Sequence, residues 1–323
     1  MTVLAILHPS DLQAQELKER LEQRTGLWDE LRLLSTDETE VGTLTEVRGA
    51  AAVVQRFVEG DLEGVAVAFF CGAMEANRRL LASLPRETTG VVLSPEAGAA
   101  DGRPVVRGVT AAPPVAGEVL VSPHPGALLL THLLHGLLAL EPASASATLL
   151  QPASLAGRAG LDELFDQTRA ILAFSPERPQ AVFGRQLAFN YYPPAVAPLH
   201  LAALVAASLG SGLPLAIQAV QSGVFHGIGA SLCVRFARDP GVEEVRRALG
   251  ADPALDLSAP GGGGKNGEPS PVEAANREEI LVGSVRAEAQ EPGAYWIWSV
   301  MDNLTVGGAI NAVAIAEAVL GGA

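Results

Sequence analysis

Lysine is almost missing from these 323 residues. Only Lys18 and Lys265 occur, and arginine supplies the other side-chain positive charge. Against 22 Lys and Arg stand 36 Asp and Glu, for a net charge of −14. A chain this acidic has no basic surface to neutralise phosphates, so nucleic acid is excluded as a partner class. Cysteine is equally scarce. Cys71 and Cys233 are too few for a disulfide framework or a zinc site, so no metal is expected and a reducing cytoplasm is the expected setting. A basic leader is also missing: MTVLAIL runs straight into a polar segment, unlike a signal peptide. The most apolar stretch, 199–220, is broken by Gly210, Gly212 and Pro214. That pattern predicts a buried helix, a turn and a buried strand rather than a membrane span.

What is present is ample material for burial. Hydrophobic residues make up 48% and charged residues 18%, enough for two domains that each have a core. Residues 2–7 read as a buried strand. Residues 11–24 read as a helix with Leu12, Leu17 and Leu21 on one stripe and Asp11 at the cap. A strand over 65–70, the turn Cys71-Gly72, a helix carrying Met74, Leu80 and Leu81, and strands at 91–93 and 105–109 follow. Strands alternating with helices imply parallel pairing in an open sheet. Beyond Pro125 come an apolar helix (126–140), a strand (146–151), a helix (161–173) and a strand-rich half (185–300). Residues 260–267 read as a flexible glycine loop, and 308–320 as a last helix closed by Gly321.

Four segments carry a family likeness. Asp302-Asn-Leu-Thr-Val-Gly-Gly-Ala-Ile-Asn-Ala-Val-Ala-Ile-Ala-Glu317 resembles the D-N-L-x-x-G-x-A-x-N-A-V-x-I-A-E ending of the aspartate-semialdehyde dehydrogenases. Gln151-Pro-Ala-Ser-Leu-Ala-Gly-Arg-Ala-Gly160, Leu187-Ala-Phe-Asn-Tyr-Tyr-Pro193 and Ile280-Leu-Val-Gly-Ser-Val-Arg286 are similar to that family's Q-A-x-S-G-A-G-x-x-G, F-N-x-x-P and V-G-R-I-R segments, in the same order. The resemblance implies an α/β fold with a Rossmann-like nucleotide-binding domain (1–124 with 305–323) and a central α+β substrate and dimerisation domain (125–304). It further implies a homodimer and NADP-dependent chemistry through a cysteine thioester.

Residue by residue, the parts for that chemistry are missing. The family's nucleophile lies in N-P-x-C. Here the matching segment is Ser122-Pro-His-Pro-Gly126, with Pro125 in the cysteine position, where a proline suits the first turn of a helix. Cys71, at a strand-to-helix turn, belongs with the nucleotide domain and also reads as a small buried filler. Cys233 lies seven residues beyond His226 in what reads as one strand, so the two face opposite ways unless a bulge at Gly227 or Gly229 intervenes. His226, in Val224-Phe-His-Gly227, matches the segment carrying the family's catalytic base, and equally reads as a packed strand histidine. The family's substrate-binding arginine, seven residues before that histidine, is Ala219 here, and 186–234 contain no Lys, Arg, Asp or Glu; nothing replaces a bidentate anion clamp. The family's glycine-rich phosphate turn is His8-Pro-Ser-Asp11, with Asp11 where a phosphate would sit. Gln151 matches a substrate-binding position, and Cys71, Gly72, Asn303 and Gly307 match positions lining the nucleotide cleft. The expectation is therefore a catalytically inactive relative that keeps fold and dimer as a binding or scaffold protein. No cofactor is expected, or NADP if any, and the partners would be a small neutral ligand or an active relative. The alternative is an NAD(P)-dependent oxidoreductase of altered chemistry or substrate.

Overall fold

A computed structural model of the chain describes residues 1–194, 200–257 and 267–321. Two compact units emerge, Met1–His124 with Gly307–Ala323 and Pro125–Val306.

In the first unit the strands are β1 (Val3–Leu7), β2 (Glu30–Ser35), β3 (Leu44–Val47), β4 (Ala50–Val53), β5 (Gln55–Arg56), β6 (Val67–Phe70), β7 (Thr89–Val92), β8 (Arg103–Pro104) and β9 (Val119–Val121). All but the β3–β4 hairpin form one parallel sheet in the order β5-β2-β1-β6-β7-β9-β8. β1, β6 and β7 are buried at every position, as strands covered on both faces must be. Helix α1 (Leu12–Glu22) presents Leu17 and Leu21 to Leu4, Ile6 and Phe69. The C-terminal helix, Asn311–Gly321, adds Ala312, Val313, Ile315, Ala316 and Val319 to that same core. On the other side of the sheet, Met74 and Leu80 of α2 (Met74–Leu81) join Val3, Ala5, Leu7 and Phe70.

In the second unit, strands β10 (Pro142–Gln151), β11 (Tyr191–Tyr192), β12 (Leu215–Ser222), β13 (Ile228–Phe236), β14 (Leu255–Asp256), β15 (Ile280–Ala287) and β16 (Ala294–Met301) form a mixed sheet, ordered β11-β12-β10-β13-β16-β15-β14. Helices α3 (Pro125–Leu137), α5 (Leu201–Leu209) and α6 (Val242–Leu249) pack together, and against the sheet's strands; α4 (Gly157–Leu172) follows β10. Along β10, buried Ala145, Ala147 and Leu149 alternate with half-exposed Ser144, Ser146, Thr148 and Leu150. One face of β10 is thus covered and the other is half-exposed.

Several sequence expectations need correcting. Residues 105–109 are not a strand: β8 is only Arg103–Pro104, and Val106 turns the chain by accepting bonds from the Val109 and Thr110 amides. β12 is half-exposed rather than buried, because its outer face has no layer above it. The final helix begins at Asn311 after a π-helical turn, Thr305–Ile310, and Gly321 lies inside it. Residues 260–266 of the glycine loop lie outside the described residues. His226 and Cys233 do not share a strand, since Gly227, at φ +88°, separates the histidine from β13. Among the described residues no helix is long and apolar enough to cross a membrane, and no His, Cys, Asp or Glu group could hold a metal ion.

Candidate functional site

The second unit gathers three of the singled-out residues. Gln151 ends β10, His226 lies in the loop between β12 and β13, and Asn303 follows β16. The loop is held by backbone bonds, with the Ala153 and Ser154 amides donating to the Val224 and Phe225 carbonyls at 2.8 and 3.0 Å. Gln221 and Ser222 donate to the Gln151 carbonyl. Asn303, fully buried, accepts from the Gly227 amide at 2.8 Å and donates to Ser154 Oγ at 3.1 Å. Its neighbour Asp302 accepts from the Leu304, Thr305 and Asn276 amides. The Asp-Asn pair is thus a structural clasp, Asp302 opening the final helical segment and Asn303 pinning the His226 loop. His226 itself is exposed. A side chain at position 227 would press on Pro271, so the glycine sets how the loop turns.

Two buried polar residues of α4, Glu163 and Gln167, hold the segment beside this loop. Glu163 accepts from the Val182 and Phe183 amides, and Gln167, one turn on, accepts from the Leu187 and Ala188 amides. Their i, i+4 spacing on the buried side of α4 was the available signal.

Neither thiol is set up as a nucleophile. Pro125 is the buried first residue of α3, where a missing N–H costs nothing. Burial pushes the Cys71 thiol well above its ordinary range, and the charges of Asp11 and Glu40 push the same way. Burial also raises Cys233, which pairs with Ser146 and Trp296 within the sheet. Thiolate is the reactive form, and both shifts disfavour it. Cys233 is five residues into β13, roughly 17 Å along the strand from its start, well away from the His226 loop.

In the first unit the turn after β1 is closed by the chain itself. Asp11 caps α1 by accepting from the Gln13 amide at 2.9 Å, so an internal carboxylate occupies the helix N-terminus that would face a phosphate. Burial raises the Asp11 pKa, opposed by the bonds from the Gln13 and Ala14 amides. His8 takes φ +57° and leans its Nδ1 on Ser35 Oγ at 3.2 Å. Burial lowers its pKa against the pull of Asp37 and Asp11. Gly72, just after the buried Cys71, lies against the His8 side chain. Gly307 sits in the π-helical turn, whose Gly308 lies against Gln13.

A Rossmann-like parallel sheet and a separate mixed-sheet unit are an architecture shared with solved structures of the semialdehyde dehydrogenase class. Residues 134–306 match the family model described as semialdehyde dehydrogenase, dimerisation domain. A USG-1 protein homolog of Pseudomonas aeruginosa is 31% identical over 273 residues, 80% of each chain. An aspartate-semialdehyde dehydrogenase of Rickettsia bellii is 30% identical over 179 residues, so the chain matches 51% of that relative's length. The solved structure of a probable aspartate-semialdehyde dehydrogenase from Pseudomonas aeruginosa superposes with a TM-score of 0.88 at 28% identity, covering 98% of this chain and 97% of the other. The chain belongs to the aspartate-semialdehyde dehydrogenase family.

Proposed function

We propose that this chain retains the family's architecture without its thioester chemistry and serves as a binding or scaffold protein, assembled as a homodimer. One observation carries the reading: proline opens α3 at the position that would supply the attacking sulfur. The two buried cysteines, both with raised pKa, support it, as does the Asp11 carboxylate on the helix end needed for a pyrophosphate. Gln151 and His226 remain from the former substrate site, and Cys71, Gly72, Asn303 and Gly307 match positions of the nucleotide cleft. With no charged residue in 186–234, what enters the substrate site is a small neutral ligand or a segment of an active relative. Two free cysteines and this ancestry favour the cytoplasm as its setting.

The test is a steady-state assay with aspartate semialdehyde, phosphate and NADP, following nicotinamide absorbance. The expected result is no turnover above a protein-free control. Turnover above it that disappears with Cys71→Ala or Cys233→Ala would show that the chain is instead an oxidoreductase of altered chemistry. A melting temperature raised by NADP would equally favour that second reading, because a ligand that binds only the folded state stabilises it. The bonded, solvent-facing His226 loop is the observation on its side.

A further inference from the structure

Three buried acceptor atoms without partners lie along the carboxyl edge of the first unit's parallel sheet. They are His8 Nε2 after β1, Glu40 Oε2 beyond β2 and Asn77 Oδ1 on α2. His8 is 8% exposed and Asn77 is fully buried. Their positions are fixed by the other atoms of the same side chains. His8 Nδ1 rests on Ser35, and Glu40 shares that hydroxyl. Asn77 Nδ2 donates to the Cys71 carbonyl and to Ser94 Oγ, both at 2.8 Å, and Ser94 in turn donates to the Gly72 carbonyl. Gly72 closes the ring, since a side chain there would lie 3.5 Å from His8 Cβ. The chain crosses from β2 on one side of β1 to β6 on the other, and ligands of open α/β sheets enter at such a reversal.

A buried polar atom without a partner carries a desolvation cost and calls for an explanation. Phosphate does not provide one. It is a cluster of acceptors, and the helix end that would receive it is already filled by Asp11. An organic cation is a poor match as well: two of the three open atoms, on His8 and Asn77, are neutral acceptors, so Glu40 is the single open carboxylate it would meet, while Asp11 is spent on the Gln13 amide and Asp37 on the Thr39 amide and hydroxyl. What remains open is one acceptor atom on each of three side chains, a pattern answered by neutral O–H donors. We infer that this edge binds an uncharged, phosphate-free polyhydroxyl ligand through its vicinal hydroxyls, with His8, Glu40 and Asn77 as the accepting groups. The inference stands whether or not the chain is catalytic.

Isothermal titration calorimetry of the full chain tests it with D-ribose, adenosine, AMP and NADP as probes. Binding of adenosine alone identifies a nucleoside source, and binding of ribose as well identifies a sugar source; AMP and NADP are expected to bind more weakly than adenosine. His8→Phe and Glu40→Gln should each weaken binding about tenfold, the loss of one hydrogen bond, and Glu40→Gln keeps the test open if His8→Phe fails to fold. A shift of the His8 Nε2 nitrogen resonance on titration would locate the ligand. Absence of binding by both ribose and adenosine, AMP or NADP binding as tightly as adenosine, or unchanged affinity in both variants would overturn the proposal.

Discussion

Asp252 shows how a single carboxylate in the second unit ties distant segments together. It lies beyond α6, 6% exposed, and meets His132 Nδ1 of α3 at 2.8 Å while accepting from the Ala254 amide at 2.9 Å. Burial alone would raise its pKa, but the bond and charge of His132, the Ala254 amide and the charge of His135 together hold it below the usual carboxylate range. A carboxyl whose pKa is lower folded than unfolded stabilises the fold above its unfolded pKa of about 3.9, and that contribution is lost as the pH falls through the folded value. Urea unfolding followed from neutral to acid pH should therefore show the wild type losing more stability than Asp252→Asn, whose curve should be flatter in acid. Identical acid limbs would mean that the pair contributes nothing. His132 and Asp252 are 120 residues apart, so no local pattern announced the bond. Asn303 was visible in the sequence as part of a motif, whereas its role as the pin of the His226 loop depends on Ser154, 149 residues away.

Elements were readable where burial is continuous or periodic. β1, β6, α1 and α3 stood out because runs such as VLAIL or the Leu17 and Leu21 stripe have few other uses. The β3–β4 hairpin escaped notice because its residues are exposed or half-exposed, Val47 and Ala52 packing only partly against the core. The valines at 105–109 misled for the opposite reason: Val105 and Val106 are buried, but in a turn. Packing between elements left one clear mark, Gly136 in the last turn of α3. A side chain there would overlap the Ala248 carbonyl oxygen at the end of α6, so the close approach of these helices depends on glycine. Gly136→Ala should cost about 1–3 kcal/mol, the range for overpacking, even though alanine is the better helix former. Chemical denaturation checks this, and an increase in stability would show that the helices can separate freely.

At the scale of the whole molecule, one face of the second unit's sheet carries half-exposed Ser146, Thr148 and Leu150 of β10 and Trp296 of β16, with Trp298 of the same face packed on Ala274, Leu281 and Val300. A half-exposed strip of this kind on a family dimerisation domain is suited to a second copy. Light scattering coupled to gel filtration should give twice the 33.4 kDa chain mass, and Leu150→Asp should shift the population toward monomer. A wild-type monomer at micromolar concentration would contradict the homodimer. The first unit has a consequence of another kind. Asn311 of the C-terminal helix donates to the Val105 carbonyl and Ser122 Oγ and accepts from the Arg107 amide, and its helix supplies part of the core beneath β1 and β6. On the ribosome, the sheet synthesised first must therefore wait, with that surface bare, for a helix that emerges only after the whole second unit, leaving a long interval in which a chaperone or an interrupted chain decides its fate.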